Sequence, residues 1–371
     1  MPGPIVITGG GTGGHIFPMQ AIAEQLRANG VDATALRLVG SRRGQESTLL
    51  ATSGVALTLL PGRGLLRSGR PRAMLQNVSA VVGLVSAVVL ATAKIATWRP
   101  SVVVSVGGYA SFATAFAAVL WRRPLVLIEL DATPGAAHRL LGRFARARCC
   151  AFASSEHNAI VTGAPLRQSI LDIDRSSEAR RSARSTCVPP IDEGRLIVVV
   201  VTGSLGSTRV NRAVVELAER WRDRSDRTIV HVTGRRDFRT ITKSRPSTDG
   251  LDYRVVEFGD MTELWALCDV AVCRAGATTI AELTTLAIPS ILVPLPGVGD
   301  HQTTNALSVV EAGGARLIVD ADCNGASLEG ALNALSTADT LTAMAEAAGS
   351  LGRRDAASAI ARVICDVGGW S

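Results

Sequence analysis

The feature that most constrains the fold is a repeated pattern in which a short apolar strand leads into a glycine-containing turn and then a helix. The clearest copy begins with DVAVC at residues 269–273, a β-branched apolar run typical of a buried strand. The turn RAGATT follows, and apolar residues at helical spacing predict a helix opening near Thr278 or Thr279. Pro289 ends that helix, and ILVP at 291–294 predicts the next buried strand. The pattern predicts half of a doubly wound α/β domain, whose ligands lie at the carboxyl ends of the strands.

Two features of this stretch indicate a nucleotide site. The helix entered through Gly276 offers backbone N–H groups and the positive end of its dipole, both of which suit a phosphate. Glu282 follows about one turn later, where a carboxylate accepts both hydroxyls of a ribose or, alternatively, only offsets the helix dipole on a solvated face. A second polar part of a nucleotide would meet the cluster past the next strand, formed by Asp300, His301, Gln302 and Asn305.

The amino-terminal copy of the pattern carries a histidine. A strand at residues 4–8 precedes GGGTGGH at 9–15, and a helix is predicted from about Pro18 to Ala28. The glycines satisfy the GxGxxG spacing of a dinucleotide site. The second strand, predicted at 33–39, ends in GSRR and lacks the acid that an NAD site carries there. A nicotinamide enzyme is therefore disfavoured, and only the two arginines keep an NADP site as an alternative. His15 would lie at the positive helix end, which favours a neutral imidazole that can act as a base; a loop histidine capping the helix is the alternative.

Two further copies complete the set. A strand at 101–106 leads into GGYAS, and LIVVVV at 196–201 leads into TGSLGS and a helix from about Arg209. More strands are predicted at 125–130 and 228–232, and residues 255–258 lead into Gly259. An alanine-rich helix is predicted at 339–361.

Composition limits the classes of partner. The 371 residues suit two domains, and 47% hydrophobic residues can form two cores. The net charge of +7 suits an anionic membrane surface or a diphosphate; with only 4% aromatic residues and no basic stripe, nucleic acid is not expected. Seven cysteines without a CxxC pair predict free thiols in a reducing cytoplasm, and the immediate entry into a strand predicts no signal peptide.

Several segments receive structural interpretations. The apolar run at 80–93 is too short for a confident membrane span and is expected to be a buried helix, with a membrane-touching helix as the alternative. Residues 62–74 are predicted to be an arginine-rich loop, and residues 172–192 an interdomain linker. The two DxD triplets, at 172–174 and 320–322, are interpreted as surface acids away from the glycine turns, and no metal or other cofactor is expected.

The chain resembles the MurG family of glycosyltransferases from Gly9 to about Leu317. The resemblance rests on CRAGATTIAEL followed by DHQTTNA, on GGGTGGHIFP, and on GGY at 107–109. It implies a GT-B fold of two Rossmann-like domains facing across a cleft: residues 1–165, with a final helix near 350–371 packing back, and residues 166–349. It also implies inverting transfer of N-acetylglucosamine (GlcNAc) from UDP-GlcNAc to the lipid-linked muramyl-pentapeptide, by a peripheral enzyme on the cytoplasmic face of the membrane.

The resemblance also implies site residues. His15 matches the base that would take the acceptor proton. The donor-binding positions implied are Thr12, Gly13, Gly14, Asp131, Arg167, Gly203, Ser204, Asn211, Phe258, Ala277, Thr278, Thr279, Glu282, His301, Gln302 and Asn305. The acceptor-side positions implied are Gly10, Gly11, Tyr109 and Glu129. Phe258 shares its assignment with Gly259, because the loop is one residue shorter than in the family.

The sequence departs from the family before the alanine at 132. The family carries histidine, glutamate, glutamine and asparagine there, and this chain has Ile128, Glu129, Leu130 and Asp131; Leu205 also replaces a glutamine. Asp131 accepts a hydrogen bond but cannot donate one as an asparagine amide does. Three alternatives therefore stay open: a related transferase with another acceptor, a UDP-GlcNAc epimerase, and a catalytically silent UDP-GlcNAc sensor.

Overall fold

The computed structural model describes residues 2–11, 13–51, 53–61, 71–108, 111–297, 300–335 and 337–370, with the backbone alone for 71–79. The chain divides into two compact units. The first unit is Met1–Arg167 with Arg354–Ser371, and the second is Gln168–Arg353. The domain boundaries predicted from the sequence, after residues 165 and 349, lie two and four residues before the observed ones. The last helix belongs to the first unit.

Each unit alternates strands and helices. The first unit contains β1 (Ile5–Thr8), α1 (Gly13–Ala28), β2 (Leu36–Ser41), α2 (Glu46–Leu49), β3 (Ala56–Leu60), α3 (Pro71–Trp98), β4 (Val102–Ser105), α4 (Ser111–Leu120), β5 (Leu125–Glu129), α5 (Ala136–Leu141), β6 (Ala147–Cys150) and β7 (Ala159–Val161). The second contains α6 (Gln168–Leu171), α7 (Ser177–Thr186), β8 (Leu196–Val201), α8 (Thr208–Arg220), β9 (Arg227–Val232), α9 (Phe238–Lys243), β10 (Asp252–Val256), α10 (Met261–Leu267), β11 (Val270–Cys273), α11 (Ala277–Thr285), β12 (Ser290–Leu292), α12 (His301–Glu311), β13 (Ala315–Leu317), α13 (Gly325–Asn333) and α14 (Ala338–Gly349). Helix α15 (Ala356–Gly368) returns to the first unit, and 3₁₀ turns occur at Ala33–Ala35, Gly142–Phe144 and Asp320–Asp322.

Both sheets are parallel. Their strand orders are β3-β2-β1-β4-β5-β6-β7 and β10-β9-β8-β11-β12-β13. The order in which strands are added therefore switches between β1 and β4 in the first sheet and between β8 and β11 in the second. The central strands are apolar without alternation because helices cover both of their faces, as in a parallel sheet. The core of the second unit includes Val198, Val200, Trp221 and Tyr253. Each topological switch point is where a doubly wound sheet binds its ligand.

Three predicted elements were wrong in extent. Helix α1 begins at Gly13, five residues before the predicted start, and holds Pro18 inside it. The helix predicted at 339–361 is two helices, α14 and α15. The predicted linker contains α7, whose buried Arg184 bonds both carboxylate oxygens of Asp269 at 2.9 and 2.8 Å. Arg180 also pairs with Asp269, so these two members of the basic cluster at 180–184 serve the scaffold.

Helix α3 differs from the buried helix expected at 80–93. One line of it, comprising Ala87, Ala91 and Ile95, packs into the first core, while Val82 and Val89 on other faces are 61% and 63% exposed. Within the described part of the chain, Ala80–Trp98 is the one helical stretch that is long and apolar enough to cross a membrane, by length and composition only. Only 22% of its most apolar 18-residue segment is buried inside the protein. The expectation of a buried helix is therefore wrong for most of α3.

Candidate active site

A pocket of about 590 Å³ lies at the carboxyl edge of the first sheet. Its wall is formed by the residues after β4, those that end β5, the start of α5, and His15 of α1. Because β1 and β4 are the neighbours at which strand order reverses, the pocket lies at the switch point. The pocket therefore lies at the edge of the sheet where the sequence pattern predicts a ligand.

His15 lies in the first turn of α1 and faces the pocket. Burial lowers its pKa below the ordinary value, the Asp131 carboxylate partly opposes this effect, and His138 adds to it. Nδ1 of His15 is buried without a hydrogen-bond partner among the described residues. A Cβ on Gly107, whose φ is +94°, would lie 3.3 Å from Nε2 of His15, so glycine there leaves room for the ring. A neutral imidazole with an unused nitrogen is suited to take a proton.

A second histidine in the same pocket is part of a buried chain of hydrogen bonds. Nδ1 of His138 lies 2.9 Å from Oε2 of Glu129, and its Nε2 lies 2.8 Å from Oγ of Ser105. All three side chains are at most 5% exposed. Oε1 of Glu129 is buried and has no partner among the described residues. Sequence reasoning singled out Glu129 but missed His138, because no spacing rule connects a residue of α5 with the end of β5.

The first glycine turn is occupied by a carboxylate rather than open for phosphate. Oε1 of Glu46, which is fully buried, accepts hydrogen bonds from the backbone N–H of Gly11 at 2.9 Å and of Ser41 at 3.0 Å. Oε1 of Glu46 also lies where a Cβ on Gly10 would be. The carboxylate both uses the Gly11 donor and opposes a second negative charge, so a phosphate cradle at Gly11 is not supported.

The remaining predicted residues of the first unit are scattered along this edge. Gly13 and Gly14 form the first residues of α1, and Asp131 lines the pocket. The guanidinium of Arg167 lies 4.0 Å from the centroid of the Phe17 ring, a cation–π contact that the sequence did not suggest. Thr12 and Tyr109 lie outside the described residues, as do residues 62–70 of the arginine-rich segment.

The corresponding edge of the second sheet carries the turn after β8. Gly203 and Gly206 have φ values of +86° and +85°, and a Cβ on Gly206 would collide with the carbonyl of Thr233. Ser204 is half-buried in this turn. Asn211 is fully buried: its Nδ2 donates to the Thr233 carbonyl at 3.0 Å and to Oδ2 of Asp237 at 2.9 Å. Asn211 therefore fixes two neighbouring loops from inside the domain rather than presenting its amide to solvent.

Glu282 of α11 is not on a solvated face. It is 6% exposed, and its Oε2 accepts a hydrogen bond of 2.9 Å from Nε1 of Trp265 in α10. The alternative in which Glu282 only offsets the helix dipole at the surface is therefore wrong. Sequence reasoning missed this contact of Trp265, since an indole at that spacing is more often a core side chain.

The other predicted donor residues surround α11 and α12. Ala277, Thr278 and Thr279 form the first turn of α11, with Gly276 at its N-cap. Oε1 of Gln302 accepts a 2.9 Å hydrogen bond from the backbone of Leu295, and the buried Asn305 donates to the Ala275 carbonyl at 3.3 Å. Other members lie further out: His301 opens α12, and Phe258 is 47% exposed beneath the Arg235 guanidinium.

Arg274 connects the loops of this edge. It donates to the carbonyls of Val293 and Pro294 at 2.9 and 3.1 Å and to Oγ of Ser207, and its guanidinium pairs with Asp320 at 2.7 Å. Asp320 is 16% exposed and pairs also with Arg209 at 3.1 Å. The interpretation of Asp320 as a surface acid away from the glycine turns was wrong, because Arg274 opens the turn before α11 and Arg209 follows the turn after β8. No cluster of three or more metal-binding side chains occurs in the part of the chain that the structure covers.

Comparison with known proteins matches both halves of the chain to one family. The glycosyltransferase family 28 N-terminal domain matches residues 5–149, and the C-terminal domain matches residues 197–360. A UDP-N-acetylglucosamine–N-acetylmuramyl-(pentapeptide) pyrophosphoryl-undecaprenol N-acetylglucosamine transferase of Alkalilimnicola ehrlichii is 36% identical, over 97% of this chain and 98% of the relative. The chain belongs to the MurG family of N-acetylglucosaminyltransferases.

Other members of the family agree with this assignment. The enzyme of the same name from Moorella thermoacetica is 32% identical, over 97% of this chain and 98% of the relative. The crystal structure of Acinetobacter baumannii MurG matches with a TM-score of 0.74 and 25% identity, covering 98% of this chain and all of that one. The predicted GT-B class and hexosyltransferase activity are confirmed, and the epimerase alternative is set aside.

Proposed function

We propose that this MurG-family enzyme transfers GlcNAc from UDP-GlcNAc to undecaprenyl-diphospho-N-acetylmuramyl-pentapeptide, the step from lipid I to lipid II in peptidoglycan synthesis. The observation that carries the proposal is the 36% identity, over nearly the whole chain, to a transferase named for these substrates. The pocket at the first switch point, with a desolvated histidine facing it, suits an acceptor hydroxyl that must lose a proton.

The proposed chemistry is a direct inverting displacement. The acceptor hydroxyl attacks the anomeric carbon of GlcNAc, the C–O bond to the diphosphate breaks, and UDP leaves with the bonding electrons. His15 takes the hydroxyl proton. A histidine whose pKa is lowered by burial is unprotonated at neutral pH, which is the form that this step needs.

The donor is proposed to bind the second unit at its own switch point. Glu282, oriented by Trp265, would hold the ribose, and the first turn of α11 would meet the diphosphate through its backbone N–H groups. Ser204, Gln302 and the residues beside them would contact phosphate and sugar. The dipole at the start of α11 would stabilise charge on departing UDP, so the proposed reaction uses no metal.

The test is turnover of UDP-GlcNAc with a short-chain lipid-linked muramyl-pentapeptide. Wild type is expected to release UDP only with the acceptor, and His15→Ala to lower kcat by about 100- to 10,000-fold, the range of a lost general base. Glu282→Ala should raise the Kd for UDP, with His301→Ala and Ser204→Ala as further donor-side variants. UDP release that is independent of the acceptor would contradict the proposal.

A transferase with a different acceptor is the second candidate. Ile128 and Leu130, both buried in the pocket wall, stand where the family carries histidine and glutamine, so the wall offers fewer polar contacts to a sugar. Competition between the muramyl-pentapeptide and other lipid-linked diphosphate sugars, at equal chain length, separates the two candidates. Preference for an acceptor without the peptide would favour the second.

Peripheral attachment to the cytoplasmic membrane surface is proposed through the exposed face of α3. Val82 and Val85 are 61% and 58% exposed there, and on α5 and just after it Leu140 and Phe144 are exposed among arginines. Apolar side chains flanked by positive charge suit an anionic lipid surface. Val82→Ser with Val85→Ser should weaken binding to anionic vesicles, whereas Val188→Ser, at a 92% exposed position of the second unit, should not. Equal binding by all three proteins would contradict the proposal.

A further inference from the structure

Glu129 lines the pocket with a carboxylate that is only partly satisfied. It ends β5, lines the pocket and is 5% exposed. Of its two carboxylate oxygens, Oε2 meets Nδ1 of His138 at 2.9 Å, while Oε1 is buried without a partner among the described residues. A buried carboxylate oxygen without a hydrogen bond is costly, so its environment is completed when a donor enters the pocket.

His138 holds this carboxylate from a fixed position. An ionised carboxylate only accepts, so Nδ1 of His138 carries the proton and its Nε2 accepts from the hydroxyl of Ser105 at 2.8 Å. Ser105 ends β4 and is fully buried, and it does not line the pocket. The chain of contacts therefore runs from the sheet through His138 to Glu129, and its last two members line the pocket.

The position of His138 in the pocket relates this chain to His15. A Cβ on Gly107 would lie 3.3 Å from Nε2 of His15 and 3.7 Å from Cε1 of His138, so the two rings flank the same backbone position. A ligand hydroxyl bound by Glu129 is therefore in the pocket that also holds the proposed base.

We propose that His138 is a positioning residue: together with Ser105 it fixes Oε2 of Glu129, so that Oε1 accepts a hydrogen bond from a hydroxyl or amide N–H of the acceptor sugar. The inference rests on the proposed function for the identity of the acceptor. In this proposal His138 orients the Glu129 carboxylate. The neighbouring position in the pocket wall, where the family carries a histidine, is Ile128 in this chain.

The test uses the different positions of the two ring nitrogens of histidine. The side-chain nitrogen of asparagine reproduces the position of Nδ1, whereas that of glutamine reproduces Nε2. His138→Asn keeps the donor to Glu129, and His138→Gln keeps only the contact with Ser105. We expect His138→Gln and Glu129→Gln to lower kcat/KM for the acceptor by about 10- to 100-fold, the worth of a hydrogen bond to a charged group. His138→Asn should lose less than about fivefold.

Two controls separate positioning from damage to the fold. The Kd for UDP, which binds the other unit, should be the same in all variants. His157→Gln changes an exposed histidine outside the pocket and should behave as wild type. If His138→Asn and His138→Gln lose activity equally, or if both keep it, the positioning role is overturned.

A binding measurement without donor distinguishes failure of the inference from failure of the proposed function. Titration of the wild type with the short-chain lipid-linked acceptor should shift the NMR signal of the His138 Nδ1 proton, and Glu129→Gln should abolish the shift. A shift without GlcNAc transfer would keep the inference and overturn the function. Transfer by the wild type without any shift would overturn the inference and keep the function.

Discussion

Acidification should destabilise the second unit through His231, a fully buried residue of β9. Its Nε2 lies 2.9 Å from Oδ1 of Asn211, whose Nδ2 is a donor elsewhere, so Nε2 carries the proton. Its Nδ1 lies 2.9 Å from the hydroxyl of Tyr253, from which it accepts. The native histidine is thus neutral with both nitrogens satisfied, and burial lowers its pKa to about 3.

The magnitude follows from proton linkage. Below the ordinary value of 6.5 the unfolded chain binds a proton that the native His231 does not bind until the pH approaches about 3. The free energy of unfolding therefore falls as the pH is lowered, by about 1.4 kcal/mol per pH unit in the middle of this window. Between pH 7 and pH 5 the loss from this residue amounts to about 2 kcal/mol.

The assay is urea unfolding followed by tryptophan fluorescence at pH 7 and pH 5, for wild type and His231→Gln. Trp221 and Trp265 are buried in the second unit and report its unfolding. The variant should be less stable at pH 7, because it loses the Tyr253 contact, but its stability should fall by about 2 kcal/mol less than that of wild type on acidification. The contribution of His15 is common to both proteins and cancels. Parallel pH dependences for the two proteins would refute the reasoning.

Three further predictions concern the two switch points. Trp265→Phe removes the hydrogen bond to Glu282 and should raise the Kd for UDP, measured by calorimetry, by about 10- to 100-fold. The control Trp121→Phe, at a 47% exposed position, should leave this Kd unchanged. Equal affinities of the two variants would exclude an orienting role for Trp265. Asp320→Asn weakens the ion pair with Arg274 and should lower the melting temperature by several degrees relative to the exposed control Asp339→Asn. Equal melting temperatures of the two variants would show that this ion pair does not stabilise the fold. Because burial lowers the pKa of His15, the acid limb of kcat/KM should have its midpoint below pH 6.5, and a midpoint above 6.5 would argue against His15 as the base.

Sequence reasoning succeeded where the signal is local. The run from Leu196 to Val201 was placed without error as a strand, since an unbroken β-branched run bounded by a glycine turn has few other solutions. The helix predicted after 339 failed, because its break at residues 350–355 depends on where α15 packs, against α1 and β4 of the first unit. Burial of α3 was also misjudged, because composition alone does not say which face has a neighbour.

For the site, a glycine turn after a strand identifies an edge of the sheet, but not the partners that each side chain finds there. His15, Glu129 and Glu282 could be chosen from motifs, because those motifs fix their position relative to a strand or a helix start. The hydrogen bonds of Glu46, His138, Trp265 and Asp320 join residues that are far apart in the sequence or carry no motif.

The sequence by itself therefore determined two parallel sheets, the sheet edges that carry the glycine turns, and the family to which the chain belongs. Only the tertiary structure decided which polar groups have hydrogen-bond partners, as with Asn211 and Glu46, and which are buried without a partner among the described residues, as with Oε1 of Glu129. The physical reason is that strand and helix formation follow from local periodicity, whereas hydrogen bonding and desolvation depend on atoms brought together by folding.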